Sequence, residues 1–491
     1  MTSIDHGSQI KSATTTSTAQ SAKLSRSLLT ALVIGSMVGA GVFSLPQNMA
    51  AGAGPLAILI GWVITGIGMI ALAFVYQRLA LRKPALDSGP YAYAKAGFGD
   101  FVGFNSAWGY WLSAWIGNVS YAVIVFSALS YFAPAFGEGN TIAAIVGASL
   151  MLWAVHALIL MGVREAAITN FITTIAKIAP IVLFIVIAAL AFNLDVFTLD
   201  FSGVSNPELG SLLAQVKSTM LVTLWVFIGV EGASVVSARA NKRSDIGFAT
   251  VSGFLVCLGL YALVSLLSLG IMTQPELAGL KNPSMAVVME HVVGPWGGAL
   301  INLAVVVSVL GAFLSWTLLA AEIPMMAARD GTMPKLLATE NDKGSPSVSL
   351  WLTNGLVQLF LIITYFANST YQALFLIASA AILVPYVLSG AYALKIALTR
   401  DGYGAGEATG RDIFTGAVAT IYGAWLVYAA GPTFLFMCAM LYAPGILVYI
   451  WARREQDKRV FTPLEVVLAL AIVTAGGLAA YLIATGVISP L

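Results

Sequence analysis

Between its charged and Pro/Gly-rich breaks the sequence holds thirteen long apolar runs. They lie at about 28–49, 55–77, 101–132, 142–162, 172–193, 214–237, 247–271, 296–322, 347–366, 371–396, 413–430, 433–451 and 462–485. A helix crosses the hydrocarbon core with about 20 mostly apolar residues, so the pattern predicts an all-α membrane protein of about 13 transmembrane helices. Composition agrees. Of 491 residues 59% are hydrophobic and 9% charged, against roughly 25% charged in soluble proteins. Twenty-four Lys+Arg and 22 Asp+Glu cannot coat a water-facing surface of this size, which excludes a soluble multidomain enzyme. The net charge of +2 suggests neither nucleic acid nor an acidic partner. Cys257 and Cys438 lie far apart in apolar runs and form no disulfide framework. Residues 1–27 are polar (SATTTSTAQS) with no cleavable apolar core, and read as a disordered cytoplasmic tail.

The charges orient the runs. Cytoplasmic loops accumulate Lys and Arg. With the N-terminus inside, alternate loops collect 22 of the 24 basic residues, Lys177 being counted beside Arg164 and only Lys217 and Lys281 falling outside. One missed or invented helix early in the chain would invert every later loop and destroy this partition. An odd number of crossings then puts Leu491 outside.

Two runs carry glycine clusters at mid-span: Gly39-Ala40-Gly41 in IGSMVGAGVFSLP of the first, and Gly229-Val230-Glu231-Gly232 in TLWVFIGVEGASVVS of the sixth. In lipid, backbone groups are satisfied within helices, so a break implies a cavity or protein on its flank. The clusters lie five runs apart. That spacing fits a transporter of two inverted LeuT-type five-helix repeats with substrate held at the broken helices. The repeats would occupy 28–193 and 214–396, with three additional helices in 413–485. Glycine in membrane spans also permits plain close packing. Free N–H groups at a half-helix start suit a carboxylate, and unpaired carbonyls suit an ammonium; together they describe an α-amino acid.

Glu231 is the one ionisable residue placed near mid-span, where carboxylates are expensive and usually functional; it is a candidate for coupling transport to pH. Trp225 and Trp316 also lie mid-membrane, where they either pack or present aromatic faces to a cationic side chain. Tyr110, Ser113 and Asn118 interrupt YWLSAWIGN on approximately one helical face, as substrate contacts or interhelical partners. His156 reads as a packing residue. No cluster has metal spacing and no glycine-rich nucleotide loop is present, so no metal or cofactor is expected.

These residues resemble the amino acid–polyamine–organocation transporters, and among them the basic amino acid/polyamine antiporters, over about residues 28–450. The most specific pieces are GSMVGAGVFSLPQN, YWLSAWIGN, TLWVFIGVEGAS and WTLLAAEIPMMAARDG. The resemblance implies that backbone N–H groups of Gly39, Ala40 and Gly41 hold the substrate carboxylate. Ala40 departs from the serine often found there, so a hydroxyl contact is missing. It implies that the carbonyls of Met37, Trp225 and Ile228 take the α-ammonium and that Trp225 stacks on the substrate. Trp316 would lie against the substrate's aliphatic part, Asn118 would be a polar contact, and Glu231 would sense protons. GVEGASVVSARANKRSDIG with a thirteenth helix looks more like arginine/ornithine than arginine/agmatine antiporters.

The implied activity is exchange of cationic amino acids across the cytoplasmic (inner) membrane, arginine in for ornithine out. Arginine/agmatine, lysine/cadaverine or histidine/histamine exchange and proton-coupled uptake stay open. An intramembrane enzyme lacks a catalytic constellation, and a membrane amino acid receptor lacks a soluble signalling domain. The lipid bilayer and small cationic substrates are the implied partners; a homodimer is left open.

Overall fold

The computed structural model describes residues 25–86, 89–162, 167–231, 242–367 and 369–488, and every regular element among them is helical. Residues 1–24 of the expected tail lie outside the described residues, as do Gly232 and the end of the sixth run. Where they are described, the apolar runs fall on helix apart from the breaks after Met37 and Phe227, because only helix pairs all its N–H and C=O groups without water.

Span one is two pieces, Arg26–Met37 and a 3-10 turn Gly41–Ser44 continuing as Leu45–Ala50, bent by 43°. Span two is Pro55–Arg82, span three Asp100–Leu129, span four Ile142–Leu160 and span five Ala167–Ala191. Span six is Leu212–Phe227, span seven Arg243–Ser268, span eight Pro295–Arg329 and span nine Ser347–Ala367. Span ten is Tyr371–Ala381 continued as Leu383–Thr399. Gly410–Arg454 holds runs eleven and twelve in one kinked rod, and span thirteen is Pro463–Ala484. Starts are set locally. Ser25, Thr141, Ser211 and Thr370 accept first-turn amide bonds, and Thr462 and Glu465 close a capping box.

By length and composition nine described helices are able to cross a membrane, or ten with the bent pair of span one. The difference from thirteen has three sources. The described apolar parts of spans five and six, Lys177–Ala191 and Leu212–Phe227, are short, and runs eleven and twelve share one helix.

Span three is the most enclosed of the crossing helices, with 94% of its apolar window buried. Around it span one packs on spans five and seven, span six on spans ten and two, and span three on spans eight and ten. Span eight also packs on span five, and span four on span nine. Outward-facing side chains such as Leu150, Phe366 and Leu470 are exposed and apolar, as a lipid-facing surface requires.

At the end of the bundle bearing Arg82, the guanidinium of that residue clasps Glu407 (2.6 Å) and Asp412 (3.3 Å), and Arg453 holds Asp100 (2.6 Å). One basic residue is not where the charge pattern put it. Lys177, counted as cytoplasmic, is 3% exposed inside span five. The described helix runs from Ala167, which sets Lys177 at least ten residues, about 15 Å, along its axis. Glu231 is therefore not the only ionisable side chain deep in a span.

Candidate substrate site at the two helix breaks

Span six stops at Phe227 because the next residues leave helical geometry: Ile228 has φ −59°, ψ 127°, and Gly229 has φ +107°. Only glycine takes such a φ without strain. A Cβ on Gly229 would also lie 2.8 Å from the Ser36 carbonyl oxygen. Ser36, one residue before the end of the first helix of span one, donates its hydroxyl to the Gly229 carbonyl (2.9 Å). The two breaks are thus joined directly. In span one, a Cβ on Gly39 would meet Tyr121 OH at 2.7 Å, and one on Gly41 would meet Val226 and Trp225 at 2.6 and 2.9 Å. The glycines are there to let spans three and six approach.

The unwound backbone uses some of its own groups. Gly39 N–H donates to the Met37 carbonyl (2.9 Å) and Ile228 N–H to the Trp225 carbonyl (3.3 Å). A carbonyl oxygen has two lone pairs, so each keeps one acceptor site.

Beside the breaks, Ser113, Ala114, Gly117, Tyr121, Trp225, Ile228 and Trp316 enclose a cavity of about 10 Å³. That is about one water probe sphere, so an amino acid enters only if the rings swing apart. Span three contributes Ser113, Ala114, Gly117 and Tyr121, span six Trp225 and Ile228, and span eight Trp316. Trp225 is held by its indole N–H on Tyr371 OH (3.0 Å) and by stacking on Phe375 (5.7 Å between centroids).

The structure therefore gathers Ser113, Trp225, Ile228 and Trp316 around one cavity, with Met37, Gly39, Ala40 and Gly41 in the adjoining break. Two further candidates point elsewhere. Asn118 is fully buried and donates to Thr317 Oγ1 (3.1 Å), tying span three to span eight. Glu231 accepts from Tyr110 OH (2.6 Å), Tyr386 OH (2.8 Å) and its neighbour Gly229 N–H (3.2 Å). Tyr110 thus serves the carboxyl and not the cavity. His156 meets Asn354 (3.1 Å) and Trp351, joining spans four and nine.

Sequence reasoning missed Gly117 and Tyr121, although 113, 117 and 121 follow the four-residue spacing of one helix face. It also missed Tyr371, Phe375 and Tyr386 of span ten, for which no local signal existed. Lys177 reaches the Gly35 carbonyl with its Nζ (3.4 Å), and Thr174 the Ala31 carbonyl (3.3 Å). Both contacts fall in the last two turns of span one before its break.

The model of one family, described as amino acid permease, matches residues 24–474. An "Arginine/ornithine antiporter" of Pseudomonas aeruginosa is 53% identical over 468 residues, 94% of this chain and 97% of that protein. An "Arginine/agmatine antiporter" of Chlamydia caviae is 43% identical over 465 residues, covering 93% and 96% of the two chains. The antiporter of that name from Chlamydia pneumoniae is 42% identical over 480 residues, covering 96% and 99%. With a match along nearly its whole length, the chain belongs to the amino acid permease family.

Proposed function

We propose that this chain is a secondary transporter that exchanges arginine for ornithine across the cytoplasmic (inner) membrane by alternating access. The observation that carries the reading is the joined pair of breaks, Ser36 on Gly229, beside a cavity walled by Trp225, Trp316 and Tyr121. The names of the relatives supply the substrate pair.

The chemistry follows from the parts. The backbone N–H groups of Ala40 and Gly41 take the substrate carboxylate, joined by that of Gly39 when it leaves the Met37 carbonyl, and the open lone pairs of Met37, Trp225 and Ile228 take its ammonium. Trp225 and Trp316 close on the aliphatic stem and the guanidinium. Ser113 is a polar contact, while Asn118 acts through Thr317. Glu231 sets the pH response through its two phenols. Exchange of one monovalent cation for another moves no net charge, so no proton need cross.

The packing supports two repeats related by a pseudo-twofold axis. Span one on seven answers span six on two; one on five answers six on ten; three on ten answers eight on five. Five crossings leave the chain on the opposite side, so the second repeat runs inverted. Thirteen crossings are supported by the rod Gly410–Arg454. Its 45 residues would extend about 68 Å, against a hydrocarbon core of about 30 Å, and Gly431 breaks it with φ 74°. The N-terminus is then cytoplasmic and the C-terminus outside.

The test is transport by the purified chain. Liposomes preloaded with unlabelled ornithine accumulate labelled arginine, and empty liposomes do not. Equal uptake into agmatine-loaded vesicles would favour arginine/agmatine exchange instead, and binding without accumulation would make the chain a receptor.

A further inference from the structure

A second cavity, of about 480 Å³, lies away from the site, between spans three, nine and twelve and the turn after span eight. Its walls include Trp108, Trp111 and Trp115 of span three, Phe360 of span nine, and Leu441 and Val448 of span twelve. Trp108 and Trp111 give their indole N–H groups to the Leu441 carbonyl and Thr353 Oγ1, both at 3.0 Å. What they offer an occupant is ring carbon. The floor is buried, while Leu336, Leu352 and Trp451 at the rim are exposed, so the cavity opens sideways toward lipid.

Its depth is informative. Along span twelve it is lined from Met440 to Trp451, which is about 21 to 5 Å short of Arg454 at 1.5 Å per residue. One leaflet of a core about 30 Å thick covers that interval. The mouth is basic. Lys335 sits between the lining residues Pro334 and Leu336, and Arg454 follows Trp451 by one turn. Glu455 accepts the Lys335 backbone N–H (2.8 Å), which brings the two segments together. Both cationic side chains are exposed, and neither has an ion-pair partner among the described residues. From Arg453 to Arg459 four cations stand against Glu455 and Asp457.

We propose that this cavity seats the acyl chain of an anionic phospholipid, from the leaflet on the Arg454 side, with its phosphate between Lys335 and Arg454. A polypeptide fits less well: one turn of helix about 10 Å wide takes up about 420 Å³, so the cavity would hold barely one turn. Span three presents Trp111 and Trp115 to this cavity and Ser113, Ala114 and Gly117 to the substrate cavity. A lipid here therefore bears on the back of the site. That consequence rests on the exchange reading; the binding does not.

The full chain, purified and delipidated in detergent, is titrated with phosphatidylglycerol or phosphatidylcholine of matched acyl chains, and occupancy is read by native mass spectrometry. Two basic side chains at the headgroup predict binding about thirtyfold tighter for phosphatidylglycerol. Lys335→Gln with Arg454→Gln brings it down to the phosphatidylcholine level, and Leu356→Trp, which fills the cavity, weakens both. Leu352→Trp at the exposed rim replaces Leu356→Trp if the latter does not melt like the wild type. Equal affinity for the two lipids, or a charge preference that survives the double variant, overturns the proposal. A concentration-dependent dimer dissolved by the filling variant, with lipid binding unchanged, would give the cavity to a second copy of the chain and also overturn it. Exchange in vesicles with and without phosphatidylglycerol is a separate readout, whose failure would leave the binding result standing.

Discussion

Replacing Glu231 by glutamine and by leucine separates a pH-coupling carboxyl from a structural one. The wild-type carboxyl accepts hydrogen bonds from Tyr110 on Oε1 and from Tyr386 and the Gly229 amide on Oε2. Glutamine keeps the Oε2 pair on its carbonyl and turns its amide to Tyr110, whose hydroxyl reverses from donor to acceptor. Leucine leaves two phenols and one amide without a partner inside the bundle. At about 1–3 kcal/mol for each buried unsatisfied group, the loss is about 3–9 kcal/mol, comparable to the whole stability of a typical domain. Glu231→Leu is therefore expected to yield little folded protein, whereas Glu231→Gln melts near the wild type. Glutamine is neutral at every pH, so any pH dependence that Glu231 supplies disappears with it. The assay is arginine/ornithine exchange in proteoliposomes from about pH 5 to 8, beside melting in detergent. Two other sources of pH dependence are controlled. Arg82 bonds Glu407 in the loop outside the membrane and holds it down at about 2; a depressed carboxylate loses its contribution only as pH falls through that value, well below the window. His156 is tested by His156→Asn. A glutamine variant with the wild-type pH profile would sink the coupling role, and a leucine variant that melts normally would refute the hydrogen-bond accounting.

Trp225→Leu and Trp316→Leu are each expected to weaken arginine exchange at least tenfold, from about 2 kcal/mol of aromatic–cation contact, with phenylalanine recovering part; equal loss for leucine and phenylalanine would argue for shape alone. Gly229→Ala puts a Cβ at φ +107° and 2.8 Å from the Ser36 oxygen, so stability should fall by about 1–3 kcal/mol, read as a lower melting temperature, and an unshifted melting curve would show that the break relaxes freely. Because Cys257 and Cys438 are both buried, Ser205→Cys should react with an impermeant thiol reagent added outside intact cells and Ala408→Cys should not; the reverse labelling exchanges inside and outside. Lys177→Met is expected to lower exchange, since the contact of its ammonium with the Gly35 carbonyl ties span five to span one; unchanged exchange would make Lys177 a packing residue.

Much of the fold was legible because lipid imposes one rule on every segment. Thirteen apolar runs, each near the length of a crossing, leave little but helices to build. Boundaries were less legible. The reach of span five back at least to Ala167 and the rod Gly410–Arg454 depend on which residues face neighbours, and hydropathy averages around a helix cannot report that. The breaks were readable for a different reason: Gly39, Gly41 and Gly229 mark backbone that must pass close to another chain segment, and glycine is the residue that allows it.

The site divides along the same line. Residues whose placement is set within one helix could be read from spacing, as the placement of Ser113 beside the cavity was and that of Tyr121 should have been. Those whose role is set by a partner from a distant span could not, and span ten supplies three of them, Tyr371, Phe375 and Tyr386, from a run that reads as featureless apolar helix. Asn118 shows the converse: its position on span three was evident, but its partner Thr317 lies about 200 residues away (|i−j| = 199) on span eight. Lys177 is the most instructive miss. A lysine near the start of an apolar run is ordinarily interfacial, its long stem letting the ammonium reach water. Here the helix is already formed at least a turn and a half before the run, and the carbonyls freed near the break of span one offer the ammonium something other than water. The break that marks the candidate site is also what permits a charge to be buried beside it.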